Sequence, residues 1–225
     1  MTKVRTAEEC LIVLQAESAW RKKEISTLRA TIDQLTQAEH DVLTRSAVVM
    51  VYAHWEGFVK KACELYINHI NERISRHTVT LSDHFLMILM WKEFRKRGEH
   101  PFWKNPAPYI EATRTYFEGR TDKDTLPLDG IDTESNLSSK VLKKLMVLID
   151  IDYTFFQTKE KLIDESLLDK RNRIAHGERI TIKQDDYKTI EAEVRGLMDI
   201  FQSAIEKCVQ QEKYKSPSAK YLGIN

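Results

Sequence analysis

The chain has 225 residues, 42% hydrophobic and 31% charged, with only seven glycines and five prolines. That length suits one domain with a full core. So few glycines and prolines leave too little punctuation for an all-β sandwich or a glycine-rich nucleotide fold. Thirty-five basic residues against 34 acidic ones give a formal net charge of +1, which excludes a uniformly basic nucleic-acid coat but leaves room for a local basic groove.

Cys10, Cys63 and Cys208 are far apart and odd in number, which points to a reducing interior rather than a disulfide framework. The first 30 residues hold no continuous apolar block, so no signal peptide is read there. No apolar run exceeds seven residues, the length of Ala47 to Ala53, far short of the roughly 20 that span a bilayer. The expectation is a soluble, cytoplasmic protein without a membrane partner.

Apolar residues at helical spacing organise the chain. Leu11, Leu14, Ile25, Leu28, Ile32 and Leu35 predict an amphipathic helix over about residues 7–37. A second helix covers about 40–75; it is apolar on nearly every side from Ala47 to Trp55, which places it at the centre of a bundle. A third fits about 81–97 and stops at Gly98 and Pro101. Residues 98–136 hold four of the five prolines and read as an insertion of loops with one short helix. Helical spacing returns at about 137–150 and 157–176. The last helix, about 185–212, has the cleanest pattern, with Asp185 or Asp186 as its N-cap. Only Ile180-Thr181-Ile182 looks extended. The fold class expected is therefore all-α, an up-and-down helical bundle with an irregular insertion, as a single domain over residues 1–215 with a flexible tail at 216–225.

Most enzyme signatures are absent. No glycine cluster could wrap a phosphate, and there is no G-x-S-x-G elbow or H-E-x-x-H pair. His54-x-Glu56 matches half of a zinc deaminase signature, but no P-C-x-x-C follows. The histidines and cysteines never pair at ligand spacing, so neither metal nor cofactor is expected, and His54 reads as a hydrogen-bonded polar group on a core helix.

The segment Arg171-Asn172-Arg173-Ile174-Ala175-His176-Gly177-Glu178 stands apart. At 100° per residue, Arg171 falls about 60° from Ile174, inside the apolar stripe of Ile163, Leu167 and Ile174. A guanidinium there requires an anionic partner or a polar cleft. Asn172 and His176, four apart, face each other on a more polar side. Gly177 is placed to stop the helix in a left-handed cap, with His176 in the last turn, where the dipole favours imidazolium. A fixed cation, an amide able to orient an imidazole, and a histidine titrating near neutrality are what metal-free cleavage of an RNA phosphodiester uses. The competing reading is a helix end whose His176 caps a carbonyl and whose Arg171 pairs with Asp169 or Glu178.

This segment resembles the Arg-(four to six residues)-His motif of the HEPN superfamily, with Asn172 as the polar residue after the arginine. The stretch Tyr52 to Phe58 (Tyr-Ala-His-Trp-Glu-Gly-Phe) and the run Arg173 to Glu178 are also similar to one prokaryotic branch of HEPN ribonucleases. The resemblance implies a HEPN-like α-bundle, a toxin or antiphage endoribonuclease with Arg171, Asn172 and His176 as catalytic residues, a homodimer with two motifs in one cleft, and an antitoxin or regulatory partner. The alternative is a non-catalytic HEPN module for dimerisation or nucleotide binding. A second spacing match, Arg95 to His100, has Gly98 inside it and lies at a helix end, so it reads as a decoy.

Glu56 and Glu178 stand as supporting groups. Glu56 could pair with Arg171 or position His176, or else pair with Lys60 at i+4. Finally, Trp91 to Arg120 carries seven basic residues against four glutamates, interleaved with aromatics. Arg95, Arg97, Trp103 and Lys104 are its candidate RNA contacts, by phosphate pairing and base stacking. The competing reading, and the favoured one, is that the stretch packs its aromatics on the bundle with its charges in solvent.

Overall fold

In the computed structural model the residues described are 4–76, 81–97, 106, 107, 109–111, 113 and 125–216, with the side chains of 37, 38, 76 and 92–97 left aside. Among them the regular structure is helical. Helix α1 spans Ala7–Ile32, α2 Gln37–Arg76, α3 Asp83–Arg97, α4 Ser139–Leu148, α5 Thr154–Gln157, α6 Lys170–Ala175 and α7 Gln184–Gln210, with a π-helical stretch, Leu162–Asp169, running into α6.

The apolar positions explain why α2 is central. Val48, Val51, Tyr52, Trp55, Phe58, Val59 and Ala62 are all buried, covering more than one face of the helix. The long helices α1, α2 and α7 pack on one another, and the π-helical stretch with α6 lies along α2. Trp55 anchors the core. Its ring stacks on Phe156 at 6.3 Å and meets Phe201 edge-on at 6.2 Å, so one α2 side chain joins α5 and α7. Rings buried this completely contribute about 1.5–3 kcal/mol each.

Polar pairs add register between α1 and α7. Glu191 of α7 is buried, and Arg29 of α1 (3.1 Å) and Arg195 (3.2 Å) supply the cations that a buried carboxylate needs. Lys22 also pairs with Asp199. Thr6 begins α1 with a capping box, its hydroxyl accepting from Glu9 N–H while the Glu9 carboxylate returns to Thr6 N–H.

Three sequence expectations change. The first α-helix ends at Ile32 rather than near 37, and its turn leads directly into α2. Asp185 and Asp186 do not cap α7. The N-cap is Lys183, without a side-chain bond, and the two aspartates lie in the first turn where their charge suits the helix dipole. The helix expected over 157–176 is not uniformly α: eight residues, Leu162–Asp169, are wound with i→i+5 bonds. A π-turn advances less than 100° per residue, so the sequence-based stripe linking Ile163 to Ile174 is rotated. Ile163 and Leu167 are buried, but Ile174 only half so.

The described end of the insertion is ordered by α2. From Leu126 to Leu137 it runs along that helix as a strap, bonded in turn at Asn71, Glu56 and Tyr52. Leu126 exchanges two hydrogen bonds with the Asn71 side chain, at 2.7 and 3.0 Å. Thr133 Oγ1 donates to Glu56 at 2.6 Å, and Leu137 N–H donates to the Tyr52 hydroxyl at 2.6 Å. At its far end, Ser138 caps α4 by accepting from Val141 N–H, while Asp164 accepts from both Ser139 N–H and its hydroxyl. At the C-terminus, Ser82 N–H donates to the Tyr214 carbonyl at 2.8 Å. The tail expected at 216–225 lies outside the described residues except for Ser216, which is buried.

Candidate functional site

Arg171 lies in the first turn of α6, where the π-helical stretch hands over to α geometry. Its guanidinium carbon stands 4.4 Å from the centre of the Tyr52 ring, a cation–π contact. Nη1 donates to Asn172 Oδ1 at 2.7 Å and to Asn136 Oδ1 at 3.4 Å. Nη2 donates to the Ser135 carbonyl at 2.6 Å and lies 3.6 Å from Glu56 Oε2. Side-chain exposures of 21% for Arg171 and 17% for Glu56 place this pair where the charges are largely but not wholly withdrawn from water. The arginine expected to need an anion or a polar cleft has an anion, Glu56, together with three neutral oxygen acceptors.

The pairing also settles which carboxylate is which. Glu56 serves Arg171, and no Glu56–Lys60 pair forms among the described residues. Asp169 and Glu178 both belong to Arg173 instead, at 3.9 and 2.7 Å. Glu178 thus stands beside the motif rather than under Arg171.

Tyr52 and Glu56 are four apart on α2 and so share one face. Burial, followed by the charge of Glu56, pushes the Tyr52 phenol up to about 12, so it remains a neutral ring and hydroxyl at any physiological pH. His54, in the same heptapeptide, looks the other way. Its Nε2 is 3.0 Å from Glu24 Oε2 on α1, and its ring meets Trp20 edge-on at 5.4 Å. Desolvation outweighs the Glu24 charge and lowers its pKa. Gly57 faces Arg21, whose guanidinium would make an ordinary van der Waals contact, at 3.7 Å, with a Cβ there.

His176 is the C-cap of α6, with φ −83° and ψ 6°. Gly177 follows at φ +84°, with its N–H on the Ile174 carbonyl (3.0 Å) and Glu178 N–H on the Arg173 carbonyl (2.9 Å). That is a Schellman stop, and it matches the glycine expected there. His176 is exposed, and its imidazole has no side-chain partner among the described residues. The backbone N–H of His176 bonds the Asn172 carbonyl at 2.9 Å, whereas the Asn172 side-chain oxygen serves Arg171. Asn172 is therefore engaged with the cation, where the sequence suggested the imidazole.

Tyr52, Thr133, Ser135 and Asn136 were not among the sequence candidates for this site. Tyr52 had a signal, being four residues before Glu56 within the quoted heptapeptide; the strap residues had none. Of the basic stretch from Trp91 to Arg120, Trp103, Lys104 and the side chains of Arg95 and Arg97 lie outside the described residues, while Trp91 projects 60% exposed from α3. No helix among the described residues is long and apolar enough to cross a membrane.

No curated protein and no solved structure matches the chain. The profile of the RiboL-PSP-HEPN family, however, matches residues 16–207, a span that runs from α1 through α7 and contains the Arg171 site and His176. With most of its length covered and an all-α bundle to match, the chain belongs to the RiboL-PSP-HEPN family of the HEPN superfamily.

Proposed function

We propose that this protein is a metal-independent endoribonuclease, acting as a homodimeric toxin or defence nuclease. The family supports an RNA-related or nuclease role in general terms. The observation that carries the finer reading is the contrast at one short helix: a cation seated on Tyr52, and five residues later an exposed imidazole with no side-chain partner among the described residues. In this reading the 2′-hydroxyl of RNA attacks the adjacent phosphorus as His176 accepts its proton. The bond to the 5′-oxygen breaks, and that oxygen takes a proton from an imidazolium. Arg171 stabilises charge on the phosphorane. Products are a 2′,3′-cyclic phosphate and a 5′-hydroxyl. Two-fold symmetry would bring two His176 imidazoles to one cleft, one as base and one as acid. A free nuclease of this kind needs restraint, for which an antitoxin or regulatory protein is the partner class.

The engagement of both terminal nitrogens of Arg171 by Ser135, Asn136, Asn172 and Glu56 favours a second reading, in which the arginine is a structural cation and the bundle a non-catalytic dimerisation or nucleotide-binding module. Incubation of a mixed RNA pool with the purified full chain in excess EDTA separates the two. The nuclease reading expects cleavage to 2′,3′-cyclic ends that is lost in His176→Ala at unchanged melting temperature. Undiminished cleavage by His176→Ala refutes the assignment of the histidine, and RNA or nucleotide binding without turnover favours the module.

A further inference from the structure

We propose that the turn Thr133–Asn136 is a latch over Arg171, closing its guanidinium to phosphate until the turn lifts. For its RNA arm this rests on the nuclease reading. A guanidinium grips a phosphate through paired N–H groups, and its two terminal nitrogens carry four of its five hydrogens. Here those nitrogens face protein acceptors of two kinds. Glu56 and Asn172 stand on helices and form a fixed floor. The Ser135 carbonyl and Asn136 Oδ1 stand on an exposed turn and form the removable side. Lifting the turn frees one bond from each terminal nitrogen while leaving the cation on Tyr52 and Glu56.

The turn is built to be only weakly closed. Glu134 and Ser135 both have φ of 54°, and Asn136 N–H donates to the Thr133 carbonyl at 3.0 Å, which defines a type I′ turn. That turn favours Asn-Gly, and a non-glycine side chain in the left-handed region is strained. Its outer ties are slight: Glu134 pairs with Lys144 at 2.9 Å with both side chains at least half exposed, and Glu134 N–H bonds Asp132 Oδ1 at 2.8 Å. Immediately on either side the strap is firmly held, Thr133 on Glu56 and Leu137 on Tyr52. Only the tip between those two anchors has to move.

Two variants bias the latch in opposite directions without touching Arg171 or His176. Glu134→Asn with Ser135→Gly gives the turn the residues it prefers and holds it shut; Ser135→Val puts a β-branched residue at positive φ and opens it. The first readout needs no RNA: the rate at which phenylglyoxal labels Arg171 in the full chain, located by peptide mass spectrometry. Labelling should slow roughly fivefold in the closed variant, the factor that about 1 kcal/mol gives, and quicken in Ser135→Val. Equal labelling of all three proteins overturns the latch. The second readout is the affinity for a fluorescent 2′-fluoro oligoribonucleotide, which cannot be cleaved by 2′-hydroxyl attack. Affinity should follow the labelling order, and the differences should vanish in an Arg171→Ala background. Labelling that changes while RNA affinity does not overturns the gating of RNA. Absence of RNA binding by every protein counts against the nuclease reading, while the labelling still decides whether the turn covers Arg171.

Discussion

Tyr52 gives the site two separable supports, and Tyr52→Phe isolates one of them. The phenyl ring remains beneath Arg171, but the hydroxyl that accepts from Leu137 N–H at 2.6 Å is gone. Leu137 is fully buried, so its amide is left without a partner in the core. An orphaned buried donor costs about 1–3 kcal/mol. For a domain of this size that corresponds to a fall in Tm of about 2–4 °C per kcal/mol. Tyr52→Leu removes the hydroxyl and the ring, so it adds the lost cation–π contact, about 0.5–2 kcal/mol, to the loss of aromatic packing. Urea unfolding followed by circular dichroism measures both, and a double-mutant cycle with Arg171→Ala tells the supports apart. Tyr52→Phe should couple only weakly with Arg171→Ala, through the strap and Glu56, because the ring it keeps is the part that meets the guanidinium. Tyr52→Leu should couple with it. Amide exchange at Leu137 should quicken in both variants. A Tyr52→Phe protein that unfolds at the wild-type urea midpoint, with unchanged exchange at Leu137, would refute the claim that this hydroxyl holds the strap.

Gly177→Ala should cost about 1 kcal/mol in urea unfolding, purely for the backbone, because φ is +84° and nothing lies within 4 Å of the added Cβ. Gly177→Asn should cost less, and an alanine variant as stable as wild type would refute the Schellman assignment. His69 is buried against Tyr214, neither ring nitrogen has a hydrogen-bond partner among the described residues, and burial followed by Arg73, with Glu212 opposing, lowers its pKa to about 4. Since its folded pKa lies below the unfolded value, the unfolded chain takes up the proton first: stability from this group is full above about pH 6.5 and falls as pH drops toward 4, by on the order of 3 kcal/mol. His69→Phe should flatten that part of the stability profile relative to wild type, and parallel profiles from pH 7.5 to 4.5 would refute the account. His54, whose pKa is also lowered, remains in both proteins and does not contribute to the difference.

The bundle was legible because its signal is redundant. Helix α2 shows buried residues on several faces over many turns, and α7 repeats Tyr187, Ile190, Val194, Leu197, Phe201 and Ile205 at steps of three and four, every one of them buried. The end of α6 was also legible, since a glycine after a helical run answers a specific backbone need at +84°. The π-helical winding was not. Leu162–Asp169 has side-chain spacing that suits α geometry as well, with Ile163 and Leu167 buried four apart, so nothing in the pattern distinguishes i→i+4 from i→i+5 bonds. The N-cap of α7 failed for a related reason: Asp185 and Asp186 satisfy the dipole from inside the first turn as readily as from the cap.

The partners of Arg171 divide the same way. Glu56 was readable as a candidate because Lys60 lies four residues on along its own helix while Arg171, on another, needs an anion, so the sequence could name Lys60 or Arg171 but not choose. The choice is made by the approach of α6 to α2, a tertiary fact. The strap carries no periodicity, and its decisive groups are a backbone carbonyl at Ser135 and an amide at Leu137. Its turn uses Glu-Ser where Asn-Gly is the readable signature. Composition would have called the region a loop and gone no further. Yet this is the segment that meets the most polar side of the candidate arginine. The motif supplies the cation and the imidazole; the backbone of the strap decides how much of that cation a phosphate can reach. Substitutions in the Arg171–His176 helix and in the Thr133–Asn136 turn should therefore differ in kind, the first altering what the site can do and the second how often it is open to do it.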